Sequence, residues 1–218
     1  MRRAFAAVSL ALVFALAGQA KAAPQTWTID PNHSQVGFSI RHFFSKVPGT
    51  FTKYSGTIVY DPEKPAASTV KAEIAAASIN TNNEKRDGHL RSEDFFFAEK
   101  YPTITFESTK VTPVADKKLL VEGNLTMRGV TKPATLDVTF LGAGPSMGGE
   151  QRAGFEATTK VNRKDFNILW NKTLDQGGTM LGDDVEIRIG IEGVIRAAEP
   201  PAKAAEPPAK SDAAPSKS

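Results

Sequence analysis

Between Trp27 and Ala197 apolar residues recur at every second position, in short runs broken by turn signals. A period of two puts the apolar side chains on one face of a β-strand, whereas a helix needs a period near 3.6. Val36, Phe38 and Ile40 alternate with Gly37, Ser39 and Arg41. Tyr54, Gly56, Ile58 and Tyr60 repeat the theme, and Val70, Ala72 and Ile74 follow. Ile104 and Phe106 start a fourth run, and Leu119, Val121, Gly123, Leu125 and Met127 make a fifth. Leu136 to Phe140, Phe155 to Val161 and Val185 to Ile191 complete the set. Eight such runs predict an all-β sandwich or barrel. One segment departs from the pattern. Asn82 to Ser92 is polar and lacks β-branched residues, so it reads as a short helix, with Thr81 or Asn82 as its cap and Glu84 in its first turn. Gly88 makes that helix marginal and in need of support from its neighbours.

The two ends read differently. Arg2 and Arg3 precede an apolar stretch from Ala4 to Ala17, and Ala20-Lys21-Ala22 supplies small residues at a cleavage spacing. Residues 1–22 are expected to be a signal peptide, which implies export to the periplasm. From Ala197 the unit AAEPPAK occurs twice in tandem, and residues 197–218 hold no aliphatic side chain larger than Ala. Such a tail cannot bury a core and reads as a disordered, Pro/Ala/Lys-rich spacer. Residues 23–196 remain as one domain, long enough to bury a core.

Charge and cysteine content exclude several functions. The chain has 27 basic and 24 acidic residues, and Arg2, Arg3 and Lys21 fall in the leader, which holds no acid. The remainder is electrically balanced, so no nucleic-acid partner is expected. There is no Cys, which removes thiol catalysis and thiolate metal sites. His33, His42 and His89 are the only histidines, none spaced i, i+4, so no metal is expected. Asp30, His33 and Ser34 supply the residue types of a hydrolase triad but lie at one strand start, where neighbours point to opposite faces. No nucleophile elbow, phosphate loop or dinucleotide fingerprint is present. The chain is therefore read as a non-enzyme.

An eight-stranded barrel is either filled by side chains or holds one small ligand. Gly56, Ala72, Gly123 and Ala157 lie on the apolar faces beside Phe and Ile, a mixture that fits a tunnel and equally a tapered, filled core.

Six segments, taken in order, resemble the YceI family of exported, lipocalin-like proteins. They are TWTIDPNHSQVGFSIRHF from Thr26, VPGTFTKYSGTI from Val47, NTNNEKRDGHLRSEDFF from Asn80, YPTITFES from Tyr101, GNLTMRGVTKP from Gly123 and RAGFEATTKVNRKDFNI from Arg152. The resemblance implies an extended antiparallel barrel with a helical insertion and a long hydrophobic pore that holds a polyisoprenoid or another amphiphilic lipid. It implies no enzymatic activity, and no cofactor other than a bound isoprenoid or quinone-type lipid as ligand. The Pro/Ala/Lys tail and the glycine-rich stretch from Gly142 to Gly149 are departures from the family pattern.

A pore for such a ligand needs aromatic and branched side chains and few polar groups. The expected lining is Phe38, Ile40, Phe51, Tyr54 and Ile58 from the first half, with Phe95, Phe97, Phe106, Phe155 and Trp170 from the second. Each of these could instead simply fill the core. Arg86, His89 and Arg91, just before Phe95-Phe96-Phe97, are the candidates for an anionic or phenolic headgroup. The structural alternative is that Arg86 pairs with Asp87 and His89 bonds to backbone, pinning the helix over the barrel. Two further functions stay open: an enzyme acting on a prenyl lipid through His89 and Asp87 at the mouth, and an envelope stress protein with a filled barrel. Exposed edges near the barrel ends are compatible with a homodimer.

Overall fold

A computed structural model describes residues 24–175 and 177–195. The expected leader and tail lie outside the described residues. Eleven strand segments form one antiparallel sheet that closes on itself where β1 (Gln25–Ile29) meets β11 (Leu181–Val194). Six of them come in three consecutive pairs, each a single strand bent midway. β1 continues past a 3-10 turn at Pro31–His33 into β2 (Gln35–His42), and both halves pair with β11. β3 (Ser45–Phe51) continues into β4 (Tyr54–Tyr60), and β5 (Thr69–Ala75) continues into β6 (Ile79–Asn80). With β7 (Thr103–Ala115), β8 (Lys118–Met127), β9 (Val130–Pro145), β10 (Gln151–Asn162) and β11, these make an eight-stranded barrel of up-and-down connection.

The alternation seen in the sequence sets the register. Val36, Phe38 and Ile40 stand opposite Ile189, Ile187 and Val185, so β2 and β11 present one continuous apolar stripe. The same in-phase pairing joins Val121 to Leu136 and Leu119 to Val138. A one-residue slip would turn each stripe outward, which is why so regular a pattern specifies one register. β1, β3 and β6 add to the eight runs read from the sequence. β3 is hidden there by Pro48 and Gly49; Pro is tolerated because the outer edge of β3 pairs with β6 only at Thr50 and Phe51.

The one α-helix among the described residues, α1 (Glu84–Arg91), follows β6. Its cap is Asn83, whose side chain accepts from the Arg86 amide, and not Thr81 or Asn82. Asn82 instead takes a positive φ of 58° that turns the chain into the helix. The helix sits at the end of the barrel where β2, β5, β7, β9, β10 and β11 have their mouth-side termini, at Ala75, Thr103 and Leu181 among others. Two buried clusters mark the ends of the interior. Phe51, Ile79, Phe95, Met127 and Phe166 lie under the helix, and Trp27, Tyr60, Val121 and Phe155 lie at the far end.

Candidate functional site

The inward residues do not meet across the middle of the barrel. They surround a cavity of about 390 Å³ that runs between the two clusters. That volume falls within the range of small-molecule sites. Along β11 the lining extends from Leu181 to Ile191, about 30 Å of strand at ~3.3 Å per residue. A tilt of about 40° turns this into roughly 25 Å of bore. The cavity is thus long and narrow, suited to a chain more than to a compact molecule.

The lining contains Phe38, Ile40, Phe51, Tyr54 and Ile58, together with Phe95, Phe106, Phe155 and Trp170. Phe97 lies outside it. Its φ of 47° turns the chain, and its ring packs edge-on against Tyr101, 6.0 Å away, with the Lys100 ammonium above it. Ala72 and Ala157 border the bore, but Gly56 and Gly123 do not. The space above Gly123 is taken by the Phe106 ring: a Cβ there would stand 2.5 Å from Phe106 Cζ. Gly49, directly across from Phe38, carries that ring in the same way. Both of these glycines seat aromatic rings, whereas the space above Gly56 is taken by the Lys71 carbonyl and Ile29.

The far end is stopped by three rings. Tyr60 lies 4.5 Å from Phe140 and 5.8 Å from Phe155, and Phe140 lies 5.3 Å from Phe155. Burial raises the phenol pKa of Tyr60, with the Asp116 and Asp61 charges adding to the effect. Tyr54, in the wall, is raised too, by burial first; its hydroxyl donates to the Ser34 carbonyl.

The helix end carries the imidazole and guanidinium groups of the lining, namely His42, Arg86, His89 and Arg163. His89 stands edge-on to Phe95 and to Trp170, at 5.0 Å from each, and Phe95 and Trp170 lie 5.3 Å apart. Its Nε2 is 2.8 Å from Asp94 Oδ2. Arg86 donates from Nε to the Thr81 hydroxyl and from Nη2 to the Thr81 carbonyl, at 2.7 and 2.8 Å. Arg91 is outside the lining: it donates to the carbonyls of Ala77 and Ile79 and to Glu84, holding α1 against β6. The helix is therefore pinned, but by other bonds than an Arg86–Asp87 pair and a His89–backbone contact. Asp87 is spent on Thr81 and His89 on Asp94, so these two do not form the acid–base pair an enzyme at the mouth would use.

Arg163 was not singled out by sequence. It is 3 % exposed and organises the mouth loop. Its Nε donates to the Gly182 carbonyl at 2.9 Å, and its Nη1 to the carbonyls of Ile168 and Trp170 at 2.7 and 2.8 Å. Burial lowers its pKa while Asp183 opposes that shift. Its neighbour Lys164 is exposed, and nothing in the local pattern NRKDF tells the two cations apart.

Outside the bore, Asp30, His33 and Glu192 bring ligand atoms within 4.8 Å of one another. Arg152 lies among them and donates to Asp30, Glu192 and Glu150. The sequence reading placed His33 on a strand start. Residues 31–33 instead form a turn, which brings His33 Nδ1 within 2.8 Å of Asp30 Oδ2. The Ser34 hydroxyl donates to the Glu192 carbonyl, so no relay to a nucleophile is assembled. This cluster clamps the β1–β11–β10 seam.

A closed eight-stranded antiparallel barrel with a stoppered, apolar, chain-shaped bore belongs to the ligand-holding barrels and not to the filled ones. Residues 27–193 match the model of the YceI-like domain, and the chain belongs to the YceI family. Protein YceI of Escherichia coli O157:H7 is 40% identical over 195 residues, which covers 89% of this chain and 98% of that one. The crystal structure of BcnA from Burkholderia cenocepacia superposes with a TM-score of 0.68 at 25% identity, covering 75% of this chain and 98% of that one. A polyisoprenoid binding domain from Saccharophagus degradans, implicated in plant cell wall breakdown, shares the fold with a TM-score of 0.56 at 15% identity, covering 78% and 98%.

Proposed function

We propose that this protein is exported to the periplasm and there carries a long isoprenoid or a similar amphiphilic lipid, with the apolar chain in the bore and the polar end at the helix side. The observation that carries this reading is the continuous apolar lining from Leu181 to Ile191 and around the barrel, closed at one end by Tyr60, Phe140 and Phe155. Each buried methylene of such a ligand contributes about 0.8 kcal/mol, so a chain of tens of carbons binds without a specific polar contact, less the cost of ordering it. Arg86 and His89 border the bore at its helix end, where a headgroup would lie. Donors already bonded to Thr81 favour a weakly held headgroup over a clamped one. The likeness to a polyisoprenoid binding domain supports the ligand class, and the leader supports the compartment.

Native mass spectrometry of protein recovered from the periplasmic fraction, followed by solvent extraction, tests the reading. The expected result is one apolar lipid per chain. Recovery from the cytoplasm, or a chain that neither retains nor takes up an added prenol, would overturn it.

A further inference from the structure

We propose that the helix end of the barrel docks on a lipid bilayer by inserting the tip of the β2–β3 hairpin, Phe43 and Phe44. This rests on the carrier reading and adds how the cargo is reached. β2 and β3 are closed by the His42–Ser45 pair, leaving a loop of just these two residues. Phe44 is fully exposed and Phe43 is 38% exposed. Phe43 has a φ of 51°, at the first central position of a two-residue hairpin, where glycine is the usual choice. A bulky residue in that region is strained. The chain thus accepts a strained backbone at Phe43 in a tip whose next residue, Phe44, leaves its ring fully exposed.

The tip is continuous with the bore. His42 lines the cavity, and its ring stands edge-on to Phe43 at 4.7 Å. The Phe43 amide donates to the carbonyl of Met180, another lining residue. Leu169, 61% exposed, lies between the lining residues Ile168 and Trp170 on the neighbouring loop. An apolar chain leaving a bilayer at this tip would pass the His42 ring and then meet the apolar lining of the bore.

The shape of the patch selects a bilayer over a protein partner. A stable protein interface buries about 800 Å² on each side, far more than a two-residue tip offers. Membrane attachment needs only a few apolar and aromatic side chains below the headgroups. The carrier's proposed cargo also resides in a bilayer. Charge is a minor term: the chain without its leader is balanced, Lys46 beside the tip is paired with Glu186, and Arg41 is the exposed cation that donates to the Phe43 carbonyl.

Val114, Leu141 and Met147 are exposed at the opposite, stoppered end and provide a control. The experiment compares the exported protein with Phe44→Glu, Phe44→Ser and Met147→Glu, using phosphatidylcholine vesicles and a fluorescent prenol. Sedimentation with vesicles and the rate of prenol transfer out of them should both fall about tenfold in the two Phe44 variants, and stay within about twofold for Met147→Glu. Affinity for the same prenol added without vesicles should be unchanged in all three, as should the melting temperature. Wild-type transfer rates in both Phe44 variants, or an equal loss in Met147→Glu, would overturn docking at this tip. If the wild type takes up no prenol even without vesicles, the carrier reading fails instead, and sedimentation alone then decides whether the tip binds lipid.

Discussion

Asp87 Oδ1 accepts both the backbone N–H and the hydroxyl of Thr81, at 2.9 and 2.5 Å, and so holds the helix to the strand it follows. The Thr81 hydroxyl in turn accepts from Arg86 Nε, which makes a short chain of bonds at the mouth of the bore. Asp87 is 3% exposed, so its loss would leave buried donors without a partner. Asp87→Ala is expected to lower stability by about 2 kcal/mol in urea unfolding, with faster hydrogen exchange across α1.

The Arg163 guanidinium serves three carbonyls on two segments. Arg163→Met keeps the length of the side chain and removes every donor. It should cost about 3 kcal/mol, because the carbonyls of Gly182, Ile168 and Trp170 stay buried. Indole fluorescence of Trp170 should shift to the red as the loop admits water. A variant of wild-type stability and emission would show that the loop is held by packing alone.

Acid should weaken the fold through named carboxylates. Asp30 is held below its ordinary value of 3.8, first by its bond to His33, with Asn32 and Arg152 adding and burial opposing. Asp183 is lowered chiefly by Lys164, and Glu186 chiefly by Lys46. A carboxyl whose folded-state pKa is depressed stabilises the fold fully above its unfolded value, and the contribution is lost as pH falls through the folded value. Melting temperature should therefore hold level down to about pH 5 and decline below about pH 4. In Asp30→Asn the decline should be shallower, and the variant should already melt lower at neutral pH. An unchanged acid limb in that variant would assign the acid loss to other groups.

Ala157 borders the bore from β10, opposite Val138 on one side and Ile189 on the other. Ala157→Phe should fill the bore instead of disrupting the wall. Prenol affinity is expected to fall at least about tenfold while unfolding free energy changes by only about 1 kcal/mol. Equal losses of both would mean that this part of the interior is packed shut.

The strands that line the bore were legible because each alternates without interruption: Val36 to Ile40, Leu119 to Met127 and Val185 to Ile191 all point where the period placed them. β3 was not legible, because Val47-Pro48-Gly49 breaks the alternation and its strand state comes from pairing with β2. Whether the barrel was open or filled could not be read from small residues. Gly123 and Ala157 look alike in the pattern, yet one seats a ring and the other faces the void. Phe95 and Phe97 were equally apolar; a turn between them, set by a positive φ at Phe97, sends only the first inward. The Arg152 clamp on Asp30 spans 122 positions, and no local signal announces a contact of that range.

The pairing of Phe106 with Gly123 and of Phe38 with Gly49 has a bearing on how ligand preference could diverge among barrels of this kind. In both cases the ring occupies space that a side chain at the glycine would fill. A single methyl at Gly49 would meet only side-chain atoms and displace the Phe38 ring, with every residue that touches cargo chemically unaltered, whereas one at Gly123 would also meet the Glu107 carbonyl oxygen at 2.6 Å and strain the wall itself. Calibre is thus written into positions that cargo never meets, and inspection of lining residues alone would miss a change in what fits.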